Sequence, residues 1–85
     1  MVNRKFVNDL IEVLLSIKTK KGMRHFLVSI LTLGELAIIP QRLQVVKLLK
    51  QNMPQREIVK KLRVSIASVT NGSNEIKRGN FKNIK

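Results

Sequence analysis

Apolar residues recur along the chain at spacings of three and four, which is the period of an amphipathic helix. Sustained alternation of apolar and polar residues, which would indicate strands, is missing. The spacing predicts a helix over about residues 3–17, with Phe6 on its apolar stripe, and another over about 23–31, with Phe26 on its stripe. Residues 18–22 are predicted to form a polar break between them. The pattern therefore predicts an all-α fold.

A third helix is predicted to open at Thr32. Thr32 and Glu35 have the spacing of a capping box, in which a hydroxyl and a carboxylate satisfy backbone N–H groups at the helix start. Pro40 lacks a backbone donor and clashes with the preceding turn, so a kink or a break is expected near Ile39. Apolar residues over 43–49 occupy more than one face, which predicts burial on several sides. In so short a chain, that burial is easiest to arrange in a dimer.

Two short helices joined by a tight turn are predicted for QREIVKKLRVSIASVTNGSN, residues 55–74. The first helix is predicted over 55–62 and the second over 66–77, with Ser65 as a good N-cap because its hydroxyl can accept from a backbone N–H. Gly79 can end the second helix. Two helices and a turn of these lengths are typical of a helix-turn-helix unit.

The positions that form the small core of a helix-turn-helix unit are all apolar in this segment. They are Ile58, Leu62, Val64 and Val69. Arg63 occupies the turn position that glycine commonly takes, at a cost on the order of 1 kcal/mol if a left-handed backbone is required. From spacing alone, both a packed helical hairpin without a partner and a DNA reader remain open.

The charge balance is strongly basic, with 17 Lys and Arg against 5 Asp and Glu and a formal net charge of +12. Residues 1–42 carry 7 basic and 3 acidic side chains, whereas residues 43–85 carry 10 and 2. Self-repulsion at this level weakens a small compact fold, which favours a polyanionic partner, nucleic acid in particular. The alternative is a solvated, solubilising surface.

Other chemistry finds little support in the composition. There is no Cys and one histidine, His25, so neither a thiolate metal site nor a His-based triad can be assembled. The five acidic residues are spread along the chain, so we expect no enzyme. Asp9 and Glu12 interrupt what would be the apolar region of a signal peptide, and no stretch is apolar enough to span a membrane. We expect a cytoplasmic, nucleoid-associated protein of one domain.

Three stretches carry a resemblance: SIKTKKGMRHFLVSILT, LTLGELAIIPQR and PQREIVKKLRVSIASVTNGSN. Over about residues 17–77 they resemble the Trp repressor superfamily of bacterial transcriptional regulators, and QRE followed by SIASVTNGSN is the most specific part. The lengths are closest to the short Trp-repressor-like branch (the YerC/YecD type), so the last helix of the longer members is expected to have no counterpart. The resemblance implies an intertwined, all-α homodimer with two helix-turn-helix heads that enter successive major grooves.

The resemblance divides residues 1–85 by role within a single domain. It implies a helical dimerisation core over 1–51, a DNA-binding head over 54–78 and a basic tail over 79–85. The residues that it implies for base edges are Arg56, Ile66, Ala67 and Thr70. Those that it implies for phosphates are Gln55, Ser68, Ser73, Asn74 and Lys77, and charge and placement add Lys60 and Lys61. Short hydroxyl and amide side chains can donate to phosphates and base edges, and methyl groups can meet thymine methyls.

The resemblance also implies L-tryptophan as a candidate corepressor, and no cofactor follows from the residues themselves. The family positions around that ligand are Thr32, Arg42, Asn71 and Gly72. Arg42 is suited to the ligand carboxylate, with an ordinary surface arginine as the alternative. Asn71 departs from the family, because it is shorter than the arginine that covers the indole there and is uncharged.

We therefore expect a sequence-specific DNA-binding regulator, a repressor that binds a palindromic operator in double-stranded DNA as a homodimer. A nonspecific nucleic-acid-binding or architectural protein without ligand control is the main alternative, because charge alone could account for such binding. A helical interaction module with an acidic protein partner is a third hypothesis.

Overall fold

The computed structural model describes all residues, Met1–Lys85, and contains five helices and no strand. Their bounds are α1 Arg4–Ser16, α2 Lys20–Ile30, α3 Leu33–Lys50, α4 Gln55–Leu62 and α5 Ile66–Lys77. The prediction of an all-α fold is confirmed. The chain divides into two compact units, Met1–Leu36 and Ala37–Lys85. None of the five helices combines the length and the apolar character needed to cross a membrane.

Side-chain caps set the starts of the two helices in the first unit. The Asn3 side chain accepts a hydrogen bond from the Phe6 backbone N–H at 3.1 Å, and the Thr19 hydroxyl accepts one from Gly22 at 3.0 Å. The polar break predicted over 18–22 is therefore mostly wrong, since α2 already begins after Thr19. A threonine hydroxyl that satisfies an orphan N–H stabilises a helix start within a polar stretch.

The apolar stripe predicted for the first helix is present but exposed to solvent. No residue of α1 or α2 is buried, and Phe6 is 72% exposed. Apolar side chains of both helices, with Asp9, line a shallow groove within this unit; the apolar members are Phe6, Leu10, Val13, Phe26 and Ile30. Contiguous apolar surface of this kind is characteristic of protein–protein interaction sites.

The start of α3 has the predicted capping box. The Thr32 hydroxyl accepts from the Glu35 backbone N–H at 3.2 Å, and the Thr32 backbone N–H donates to the Glu35 carboxylate at 2.8 Å. That backbone N–H, followed by the Thr32 hydroxyl, holds the pKa of Glu35 below its usual value. Two orphan N–H groups are thus satisfied reciprocally.

Of the kink or break predicted near Ile39, the break is wrong, because α3 continues through Pro40 to Lys50 without interruption. Proline removes one backbone hydrogen bond, but its fixed φ is itself helical. In an 18-residue helix, the hydrogen bonds on either side are sufficient to carry the backbone past that single gap.

The core of the second unit lies where the helix-turn-helix pattern predicts it. Ile58 of α4 and Val69 of α5 are fully buried, and Val45 of α3 joins them. Partly buried residues surround this cluster; they are Leu48, Leu49, Met53, Val59, Leu62 and Val64. Packing of α4 against α5 around this cluster fixes which side of each helix faces outward.

The turn between α4 and α5 has the left-handed backbone conformation, which is energetically unfavourable for an arginine. Arg63 ends α4 with φ 55° and ψ 46°. Two residues later, Ser65 caps α5, and its hydroxyl accepts from the Ser68 backbone N–H at 3.1 Å. The predicted bounds of both helices are confirmed, and Pro54 is the N-cap residue of α4.

The end of α5 is a glycine C-cap in a Schellman arrangement. Gly79 has φ 91°, and its N–H donates to the carbonyl oxygen of Ile76 at 3.0 Å. The N–H of Asn80 donates to the carbonyl oxygen of Glu75 at 3.0 Å. The tail that follows has turns but no further helix, and Lys50 Nζ donates to the carbonyl oxygen of Phe81.

Candidate nucleic-acid interface

The outward face of α5 carries the three residues of this helix predicted to contact base edges. Val69 is fully buried, and this fixes the rotation of the helix. Ile66, in the first turn of α5, is 52% exposed, and Ala67 and Thr70 are also exposed. The face therefore presents methyl groups and a hydroxyl on one rigid helix.

A hydrogen bond between α4 and α5 joins Gln55, which is predicted to contact a phosphate, to Thr70, which is predicted to contact a base edge. The Thr70 hydroxyl donates to the side-chain oxygen of Gln55 at 3.3 Å. Both N–H bonds of the Gln55 amide then remain available as donors, and the Thr70 oxygen keeps its acceptor capacity. The start of α4 is thereby held against the middle of α5.

Hydroxyl groups cluster at the start of α5. The side-chain oxygens of Ser65 and Ser68 lie 2.9 Å apart, so one hydroxyl donates to the other. Ser68 is exposed and can turn its hydroxyl toward an anion at the N-terminal end of α5. The predicted phosphate contact at Ser68 is thus linked to the cap that defines where α5 begins.

Basic side chains around this face are free of carboxylate partners. The chain has a single ion pair, between Arg78 and Glu75, and it lies at the far end of α5. The pKa of Glu75 is held below its usual value by a hydrogen bond from the Asn80 side chain and then by Arg78. Other predicted DNA contacts are exposed; they are Arg56, Lys60, Lys61, Asn74 and Lys77. Ser73 is half-buried.

A cleft of about 690 Å³ lies within the second unit between α3 and α5. Its lining includes Arg42, Asn71 and Gly72, three of the four residues predicted for a corepressor. The fourth, Thr32, uses its hydroxyl to cap α3. The remaining lining residues are Ile38, Gln41, Val45, Val46, Ser68, Glu75 and Phe81.

Gly72 permits the close approach of the two helices that wall this cleft. A Cβ at this position would meet side-chain carbons of Val45 and Leu49, each at 3.3 Å. The absence of a side chain therefore lets α5 pack closely on α3. Two lining residues were not predicted from the sequence: Glu75, near the end of α5, and Phe81, in the tail that follows α5.

Comparison with known proteins gives one consistent result. The family model described as Trp repressor protein matches residues 5–83. A Trp operon repressor homolog of Chlamydia caviae is 40% identical over 70 residues, which are 81% of this chain and 69% of that protein. One from Haemophilus influenzae is 47% identical over 55 residues, 64% of this chain and 54% of that protein. One from Actinobacillus succinogenes is 41% identical over 71 residues, with 82% and 70% covered. No solved structure gives a significant match.

Proposed function

The chain belongs to the Trp repressor family, and we propose that it regulates transcription by binding a palindromic operator in double-stranded DNA, as a repressor. Family membership confirms the resemblance seen over residues 17–77 and the prediction that the chain is not an enzyme. The matched segment spans about half to two thirds of the first relatives, at 69% and 54% of their lengths. The observation that carries the proposal is the exposed face of α5 formed by Ile66, Ala67 and Thr70.

In this proposal α5 enters the major groove and reads base edges. The methyl groups of Ile66 and Ala67 would pack against thymine methyl groups, and the Thr70 hydroxyl would bond to a base edge. Arg56, exposed in the first turn of α4, has the fork of donors that suits the two acceptors of guanine. Each well-made bidentate contact of this kind is worth roughly 1–3 kcal/mol of discrimination against a wrong base.

Phosphate contacts would set the register of the head on the duplex without reading sequence. Lys60 and Lys61 on α4 and Lys77 at the end of α5 are exposed cations near the reading face. The amide of Gln55 and the hydroxyls and amide of α5 would add neutral donors; the α5 residues are Ser68, Ser73 and Asn74. Lys and Arg contacts of this type make affinity fall steeply with salt.

A homodimer supplies the symmetry that a palindrome requires. The support is the uncovered apolar surface of α1 and α2, where Phe6 is 72% exposed and Val28 57%. We assign residues 1–51 to dimerisation, 54–78 to the DNA-binding head and 79–85 to the tail. Two heads of such a dimer would meet half-sites about 34–36 Å apart, which is one helical turn of DNA. Sedimentation equilibrium tests the dimer directly, and a monomer at micromolar concentration would refute it.

Selection of preferred duplexes from a random pool tests sequence-specific binding. We expect enrichment of a palindrome that is then bound at nanomolar concentration. Thr70→Ala and Ile66→Ala should each reduce discrimination between selected and scrambled duplexes, while Lys60→Ala should weaken binding to both equally. A nonspecific, architectural protein would instead yield no consensus, and its two α5 variants would behave like the parent. No binding to any duplex would refute both DNA-binding proposals.

L-tryptophan is the ligand to test in the α3–α5 cleft. Arg42 offers a guanidinium for a carboxylate, and Val45 and Val46 offer apolar surface, while Asn71 brings no charge. The selection should be run with and without tryptophan, alongside calorimetric titration of the free protein and of Arg42→Ala. Equal enrichment in both arms and no heat of binding would remove tryptophan as corepressor and leave DNA binding intact.

A further inference from the structure

Arg63 occupies a backbone conformation that arginine rarely adopts. Its φ of 55° and ψ of 46° lie in the left-handed region, where a Cβ crowds the following carbonyl oxygen. Two other non-glycine residues have positive φ: Asn52, whose short amide tolerates this region, and Phe81, which lies in the tail. Arg63 is thus the one such residue inside the helix-turn-helix unit, at a position where glycine would relieve the strain.

The chain itself offers no compensation for an arginine at this position. Arg63 is exposed, and its guanidinium has no carboxylate within ion-pair distance. Arg78, by contrast, is paired with Glu75. Backbone strain retained at an exposed site without an internal partner is a feature found where binding groups are held in position.

The position of Arg63 places its charge beside the reading helix. It lies two residues before the Ser65 cap of α5 and three residues before Ile66. Along α4, Arg56, Lys60 and Arg63 follow one another at spacings of four and three, so a row of cations runs toward the turn. The α5 N-terminus at the end of this row also favours negative charge.

We propose that Arg63 binds a DNA phosphate next to the start of α5, and that this contact is the reason an arginine stands at a glycine position. The inference rests on the proposed function. The planar guanidinium can give two parallel hydrogen bonds to phosphate oxygens, which a neutral turn residue cannot. Arg63 would thereby fix the depth of α5 in the groove without reading bases.

Three variants separate the backbone strain from the charge. Arg63→Gly removes both, Arg63→Asn removes the charge and part of the strain, and Arg63→Lys keeps both. Relief of the strain should raise the thermal midpoint of Arg63→Gly by about 4–8 °C, that of Arg63→Asn by less, and that of Arg63→Lys not at all. Each midpoint is measured by circular dichroism at one protein concentration.

Affinity is measured for the same variants with the selected duplex and a scrambled duplex across a salt series. A homodimer would lose two such phosphate contacts, one in each head, which should reduce the slope of log affinity against log salt by about 1.8, or about thirtyfold in affinity at roughly 0.15 M when referred to 1 M. We expect this for Arg63→Gly and Arg63→Asn on both duplexes, with the parent slope kept by Arg63→Lys. Discrimination between the duplexes should stay unchanged.

The outcomes distinguish this inference from the proposed function. Parental affinity and slope for Arg63→Gly and Arg63→Asn, in a protein that binds DNA, would overturn the role of Arg63 alone. An Arg63→Gly variant less stable than the parent would overturn the argument from strain. If the parent binds neither duplex even at low salt, the proposed function falls first and this inference falls with it.

Discussion

Truncation of Ile58 tests whether the small α4–α5 core stabilises the DNA-binding head. Ile58 is 0% exposed and packs with Val45 and Val69. Ile58→Ala removes three carbon atoms from this cluster, and at about 0.8 kcal/mol for each buried carbon the lost transfer free energy is about 2.4 kcal/mol. If the surroundings do not collapse, a cavity of roughly 80 Å³ adds about 1.9 kcal/mol at ~24 cal/mol per Å³. We expect a loss between about 2.4 and 4.3 kcal/mol.

Urea unfolding followed by far-ultraviolet circular dichroism measures this loss, since the chain has no Trp or Tyr for fluorescence. Protein concentration must be matched because dimerisation would couple to stability. Ile66→Ala is the control: it is the same substitution at a residue 52% exposed, and it should change stability by no more than about 0.5 kcal/mol. If Ile58→Ala does not fold, Ile58→Val provides a milder test, with an expected loss of about 0.5–1.5 kcal/mol in the free energy of unfolding. Equal losses for Ile58→Ala and Ile66→Ala would refute the reasoning.

Three further predictions concern helix ends. The pKa of Glu35 is lowered by the backbone N–H of Thr32, so ionised Glu35 stabilises the fold at neutral pH, and this stabilisation is lost as pH falls below 4.5 through the lowered pKa. Glu35→Gln should therefore give a flatter profile of urea midpoint against pH in that range. Gly79→Ala should cost about 1 kcal/mol in urea unfolding because the φ of Gly79 is 91°, whereas Gly34→Ala, in α3, should be neutral or stabilising because its Cβ would make only an ordinary contact with the Thr32 hydroxyl at 4.0 Å. Ser65→Ala should cost about 1 kcal/mol through loss of the α5 cap, and an unchanged urea midpoint would contradict that role.

The local sequence was sufficient to predict the helices of the DNA-binding head, because interactions within a few residues define where each helix begins and ends. The Ser65 cap, the turn at Arg63 and the apolar spacing from Ile58 to Leu62 each act within a few residues. The bounds predicted for α4 and α5 are accordingly those observed. Once Val69 is buried, the helical period places Ala67 and Thr70 outward, whereas Ile66 is exposed because it lies in the first turn of α5.

The errors arose where a local penalty competed with interactions along a longer segment. Pro40 has an intrinsic cost that the sequence shows, but the length of helix on both sides of it decides the outcome. The start of α2 was placed too late because Lys20 and Lys21 resemble a solvated loop, whereas the Thr19 cap makes them the first turn of the helix. In both cases the cooperativity of helix formation outweighs residues that are locally unfavourable to a helix.

The cleft was predicted only in part, because some of its lining comes from distant parts of the chain. Arg42 and Asn71 were found through the family pattern, and both line it. Phe81 reaches it after the backbone reverses at Gly79, and Lys50, 31 residues earlier, holds its carbonyl oxygen. A contact of that sequence separation has no signature in spacing or propensity, so composition could not have located it.

Exposed apolar side chains and positive charge have opposite effects on the proposed dimer. The first unit leaves apolar side chains such as Phe6 uncovered, which favours association with a second copy. Each copy also carries a net charge of +12, so association brings two strongly basic subunits together and is opposed by their repulsion. Phosphates that neutralise the heads would reduce that repulsion, and by linkage DNA and the second subunit would then each strengthen binding of the other. The charge that weakens the free dimer is thus what would make its assembly respond to DNA.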